Sequence, residues 1–156
     1  MPEPPRQLVE AVRTWREARC GEACPQCPIN CCAGRLNPRL DDMRAFEALP
    51  QVSGRQARPP EPYVLAKRAL GRTERFLVGT CPHLSAGRCA IFDDPSRPRE
   101  CHEYPVSVRR LLGGYAGFVI AAERSCWILQ QASHRDSLTE LAAAHGVDCM
   151  FMEDKT

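Results

Sequence analysis

Four cysteines fall within the nine residues Cys24-Pro-Gln-Cys27-Pro-Ile-Asn-Cys31-Cys32, and Cys81, Cys89 and Cys101 follow farther along the chain, with Cys126 beyond them. A deprotonated cysteine is a soft metal ligand, and two cysteines separated by two residues let one turn aim both sulfurs at the same ion or cluster. Cysteines buried only as small hydrophobes are scattered rather than grouped in this way. Cys24, Cys27, Cys31, Cys32, Cys81, Cys89, Cys101 and Cys126 are therefore the candidate metal ligands. Cys20 reads as a structural thiol at the end of a helix, and Cys149 stands alone near the C-terminus.

The residues bear on which metal this is. A closed zinc site takes four tetrahedral Cys or His ligands, so eight cysteines are enough for two. Iron–sulfur clusters also take four thiolates, often from a compact loop plus distant cysteines. The adjacent side chains of Cys31 and Cys32 diverge, which strains closure around one small ion and suits a larger cluster. Proline follows Cys24, Cys27 and Cys81, as in cluster-binding loops. The expectation is an iron–sulfur cluster, of the [4Fe–4S] type, with Zn2+ as the alternative. His83 and His102 each stand close to a candidate ligand and could complete a zinc site or donate to a sulfur. An ordinary hydrogen-bonded histidine is the simpler reading of each. Arg97 and Tyr104 could donate to sulfurs or loop carbonyls, or else set a turn and pack.

The rest of the composition narrows the setting. The sequence holds 156 residues, ten of them cysteine, with 14 Pro and 10 Gly. That length suits one domain, and the turn formers point to an irregular, loop-rich one. The start, Met1-Pro-Glu-Pro-Pro-Arg, lacks the apolar core of a secretory signal, and no later stretch has the length of a spanning helix. The expected location is the cytoplasm, with no membrane partner. Thiols there are kept reduced, so metal ligation accounts for many cysteines better than disulfides do. A formal net charge of +2 gives no field that would draw nucleic acid.

Several elements must position these residues. Leu8, Val12 and Trp15 lie at helical spacing in residues 6 to 19, which deliver the chain to the first cysteine group. Asn37-Pro38 followed by Leu40, Met43 and Phe46 predicts a second helix over 38 to 48. A third helix or turn is expected over 63 to 70. Residues 74 to 80 and 88 to 92 predict a cysteine-bearing hairpin, and 106 to 112 with 115 to 121 predict another across Gly113-Gly114. A final helix is expected over about 133 to 145, closed by Gly146. The fold class expected is α+β: a small, loop-rich, metal-organised single domain spanning 1–156, with short helices and one or two β-hairpins. Its cysteine-cluster core would cover about 20–127.

Two blocks of the chain resemble the CxxCxxCC or YkgJ-like cysteine-cluster family, which is described as a zinc- or iron-chelating domain. The first is residues 24 to 32. The second is Cys81-Pro-His-Leu, Gly87-Arg-Cys89-Ala-Ile-Phe, Arg97-Pro-Arg-Glu-Cys101 and Tyr104-Pro105. The resemblance implies that Cys24, Cys27, Cys31, Cys32, Cys81, Cys89 and Cys101 occupy the family's ligand positions, with Cys126 as an eighth. The chain departs from the pattern in two places. Three residues rather than two separate Cys27 from Cys31, and His102 stands where an arginine commonly follows the last cysteine.

The function expected is metal binding, with the centre serving electron transfer or redox sensing through an unidentified redox or protein partner. A zinc-dependent structural, interaction or metal-exchange protein is the alternative. The motif also occurs in the flagellin lysine N-methylase group, so a component of a methylase-type enzyme is a further alternative. No Gly-rich cofactor turn, Ser-His-Asp set or phosphate loop supports an enzyme.

Overall fold

The computed structural model describes residues 3–28, 31–34, 36–111 and 117–153. Among these residues the fold is α+β, with four α-helices and eight strands in three small sheets. In chain order they are α1 (Arg6–Ala23), β1 (Gln51–Ser53), β2 (Tyr63–Ala69), β3 (Arg72–Val78), β4 (Leu84–Ser85), β5 (Arg88–Cys89), α2 (Arg99–Glu103), β6 (Val106–Arg110), β7 (Phe118–Glu123), α3 (Trp127–Gln130), α4 (Ala132–Ala144) and β8 (Asp148–Met152). Their contacts divide the chain into two compact units, residues 29–102 and residues 1–28 with 103–156. No described helix is long and apolar enough to cross a membrane.

The continuous unit is built on β1, β2 and β3, with β1 parallel and β3 antiparallel to β2. Val64 and Leu77 are cross-strand partners, and they bury together with Leu40 and Phe46 as the core of this unit. Residues 63 to 70, expected as a helix or turn, are thus mostly strand, because pairing along the whole of β3 and burial of Tyr63 and Val64 outweigh their mixed propensity. The helix expected over 38 to 48 is reduced to a single 3-10 turn at Arg44–Phe46. The backbone before it is already engaged with β3: Leu40 N–H donates to the Arg75 carbonyl at 2.7 Å, and Leu77 N–H to the Pro38 carbonyl at 3.0 Å. A segment bonded to a strand edge cannot also close helical turns.

The expected cysteine-bearing hairpin is also rearranged. The partner of β3 is β2, and Arg88–Cys89 pairs instead with Leu84–Ser85. Both hairpins turn on an X-Gly pair with positive φ at each residue: Leu70 (48°) and Gly71 (75°), then Ala86 (47°) and Gly87 (74°). This is the two-residue turn whose twist matches antiparallel strands, and it normally prefers Asn-Gly.

In the discontinuous unit, α1 buries Leu8, Val12 and Trp15 on one face, as the spacing predicts, and continues four residues past Arg19 to carry Cys20 onto that face. Trp15 Nε1–H donates to Ser137 Oγ at 2.9 Å, tying α1 to α4. β7 lies between β6, to which it is antiparallel, and β8, to which it is parallel. The strands expected around Gly113-Gly114 do pair, although the turn itself falls outside the described residues. The final helix is α4, followed by Gly146 at φ 65°. β8 was not expected, since Asp148-Cys-Met-Phe-Met alternates only weakly in burial.

The αL conformation of Leu70 costs about 1–2 kcal/mol for an ordinary side chain, and this side chain is fully exposed and gains no packing in return. Leu70→Asn should therefore stabilise the protein by roughly 1 kcal/mol. The check is thermal unfolding; an unchanged or lower midpoint would contradict the turn assignment.

Candidate metal centre

Two cysteine loops of the continuous unit meet where Gly34 lets the backbones come close. Gly34 has φ 95°, and a Cβ there would lie 3.3 Å from the Gly79 carbonyl carbon. Gly79 has φ 88°, and a Cβ there would fall 2.6 Å from the Glu61 side chain. The close approach is completed by an antiparallel bridge between Ala33 and Thr80 and by a 2.7 Å hydrogen bond from Cys81 N–H to the Cys32 carbonyl. The Cys31-Cys32 step is thereby held at the end of β3, where Cys81 begins the next loop.

Cys89 reaches the same place on the β4–β5 hairpin, which is anchored by Ala90 N–H donating to the His83 carbonyl at 2.8 Å. Cys101 arrives on α2, whose first turn is closed by Cys101 N–H donating to the Pro98 carbonyl at 3.0 Å. Cys31, Cys32, Cys81, Cys89 and Cys101 line one cavity of about 40 Å³. Its remaining wall is apolar apart from one side chain, Arg97; Phe46, Leu77 and Ile91 are among the rest.

Arg97 is held in place from three sides. Its guanidinium donates to the Phe92 carbonyl at 3.2 Å and to the Cys101 carbonyl at 2.7 Å, and lies 4.2 Å from the centre of the Phe92 ring. Its Nε is buried with no hydrogen-bond partner. A buried guanidinium donor without an acceptor is costly, so a site of this kind fits an electron-rich sulfur.

The electrostatics of the thiols follow from this setting. Burial pushes the Cys32 thiol up to about 12; Cys81, Cys89 and Cys31 push the same way, and the Arg97 charge opposes them. Cys101 is likewise pushed up to about 12 by burial, against the pull of Arg97. Burial also raises Cys81, and the backbone N–H of His83 donates to its sulfur, pulling it down. Cys32, Cys81 and Cys101 are each raised by the charge of neighbouring thiols in the cavity, as members of a single group are. As they stand, no three or more His, Cys, Asp or Glu side chains among the described residues form a preformed site for one metal ion.

His83 follows the simpler of the readings open to it in the sequence, an ordinary hydrogen-bonded histidine. His83 bonds through Nε2 to the Ala45 carbonyl and meets the Phe46 ring edge-on, while it is its backbone that serves Cys81. His102 lies in α2 next to Cys101. Tyr104 packs against the apolar core of the discontinuous unit.

Cys24, Cys27 and Cys126, the other expected ligands, belong to the discontinuous unit, together with Cys20. Cys20 and Cys126 are buried there in one apolar cluster. Cys20 stands four residues before Cys24, one helical turn away, and its burial agrees with its reading as a structural thiol at the end of the helix. The apolar wall of the cavity carried no sequence signal, because its residues come from separate segments. No protein-family model matches the chain, and comparison with curated proteins and with solved structures finds no match.

Cys149 is the isolated thiol. It lies in β8 against the core, and burial alone pushes it up to about 11 from the ordinary 9.0. A raised thiol contributes stability that is present below pH 9.0 and lost as the pH climbs through about 11, because the unfolded chain ionises first. Alkylation of Cys149 by iodoacetamide, followed by peptide mass spectrometry, should therefore show a rate that rises toward pH 11. A midpoint near 9 would mean that the thiol is solvated.

Proposed function

We propose that residues 29–102 hold an iron–sulfur cluster of the [4Fe–4S] type through Cys32, Cys81, Cys89 and Cys101, and that the protein serves electron transfer or redox sensing. The observation that carries the proposal is the cavity itself: these cysteines and Cys31 line it together, against apolar walls and one guanidinium with an unused donor. Four thiolates are the ligand set of an iron–sulfur cluster, and a buried N–H donor suits a sulfur of such a centre. The likeness of residues 24 to 32 and 81 to 105 to the cysteine-cluster family supports metal chelation and leaves the metal to the chemistry of the site.

Such a cluster supplies one-electron chemistry when bound. The protein's own residues do the rest. Arg97 offers Nε–H to a sulfur and its charge to the thiolates, and the His83 N–H stabilises the Cys81 sulfur. Leu77, Phe46 and Ile91 limit water, which with the hydrogen bonds sets how readily the centre accepts an electron. Cys31 lines the cavity beside Cys32 without being required as a ligand. Redox function rather than catalysis is the consequence, and the partner is one that exchanges electrons with the centre.

Protein purified without oxygen should be brown, with iron and acid-labile sulfide in matching amounts. Colourless protein carrying zinc would replace the cluster with a structural or exchange site, and protein that neither carries nor takes up metal would overturn the proposal. Cys81→Ser and Cys89→Ser should each lose the visible absorption and lower the melting point, while Cys149→Ser should retain the full metal content. Separately, Arg97→Leu should shift the reduction potential to more negative values in voltammetry, because a cation that favours the reduced centre has been removed. A potential equal to that of the wild type would mean that Arg97 does not act on the centre.

A further inference from the structure

The sheet of the discontinuous unit is finished differently at its two edges. At β6 the Val106 carbonyl accepts from the Arg16 guanidinium at 2.9 Å, so α1 reaches that edge. At the other edge β8 runs parallel to β7, and Arg124 N–H donates to the Met152 carbonyl at 2.8 Å. Main-chain groups alternate in direction along a strand, so those of Asp148, Met150 and Met152 turn toward β7 and those of Cys149 and Phe151 point away from it. No described residue bonds to them there. A row of unpaired N–H and C=O groups is a template for another strand.

The side chains of β8 divide between two faces. Cys149 and Phe151 pack against the apolar core, whereas Asp148 and Met150 are exposed, Met150 at 47%. On that outer face Arg109 lies across the sheet: its guanidinium is 3.7 Å from the Glu123 carboxylate and 3.8 Å from Met152 Sδ, and its Nε–H donates to Ser107 Oγ at 3.2 Å. β8 contains no Pro, no Lys and no bulge, the devices that usually guard an open edge.

We propose that β8 pairs antiparallel with β8 of a second copy of this chain, about a two-fold axis at Met150, joining two three-stranded sheets into one. The strand itself sets the register. Cys149 stands opposite the partner's Phe151, and Phe151 opposite the partner's Cys149, which uses every outward N–H and C=O of these residues. A register centred on Cys149 would need the Val147 N–H, already given to the Ala142 carbonyl at 3.1 Å. Charge supports the axis at Met150: Asp148 stands opposite the partner's Met152, whose sulfur the partner's Arg109 reaches, so carboxylate and guanidinium come together across the interface. Met150 meets the partner's Met150, covering apolar surface that each copy exposes. These residues lie outside the cavity of 29–102, and the inference does not depend on the proposed cluster.

The test is the mass of the full chain in reducing buffer, by light scattering after gel filtration over a concentration series, with Met150→Lys, Asp148→Lys and Met150→Cys as variants. The wild type should have twice the mass of one chain. Met150→Lys sets like charges opposite each other at an exposed position, so it should be monomeric at the same concentrations with unchanged circular dichroism. Asp148→Lys should weaken the dimer, and added salt should weaken that of the wild type. Met150→Cys treated with diamide should yield a disulfide that peptide mass spectrometry maps to position 150 of both copies, because directly opposed residues of a non-hydrogen-bonded pair lie within disulfide reach. A wild type that is monomeric at every concentration overturns the inference, and so does a dimer that Met150→Lys leaves intact or one in which Met150→Cys gives no link at position 150.

Discussion

A guanidinium held among thiols sets the terms for the continuous unit. Arg97 carries a charge into a cavity whose other walls are sulfur and hydrocarbon, and its two fixed hydrogen bonds go to carbonyls of the loop that contains it. Those bonds fix the segment from Phe92 to Cys101 and leave Nε–H aimed at no protein acceptor. The cysteines nearby are held protonated by burial and by one another, so they supply only weak acceptors until something replaces their protons. The charge and the thiols are each unfavourable alone, and the proposed electron-rich metal–sulfur centre would satisfy both.

Backbone proximity makes this arrangement possible. A side chain at position 34 would crowd the Gly79 backbone and one at 79 would collide with Glu61, so both glycines suit the place where Ala33 pairs with Thr80 and the Cys31-Cys32 step lies beside Cys81. The β2–β3 sheet supplies the rigid edge, with Val64 and Leu77 buried beneath it, and the β4–β5 turn aims Cys89. Sulfur positions are therefore set by main-chain hydrogen bonds more than by the side chains around them.

Much of this was legible in the sequence, for identifiable reasons. Helical spacing exposed α1 and α4, since both have one buried face and no competing partner for their backbones. Asn37-Pro38 misled because a cap-and-proline signal is local, whereas Pro38 and Leu40 are bonded to β3 from a distance in the chain. The X-Gly turns at 70–71 and 86–87 lack the Asn or Asp that usually marks them, so the strand pairing around them was misassigned. The grouping of the cysteines could be read from the sequence. Their division between the two units could not, because it depends on which stretches of chain return to meet each other.

That return has a consequence for the order of events during synthesis. The unit containing α1 is interrupted by residues 29–102, and its sheet is completed only by β8, the last of the described strands. Because a chain emerges from its N-terminus, the continuous unit has all its residues outside the ribosome while α1 still waits for most of its core partners. The thiols from 31 to 101 can come together first, before Cys126 has been made to join Cys20 in the apolar cluster of the other unit. Vectorial synthesis thus separates in time the assembly of two groups of cysteines.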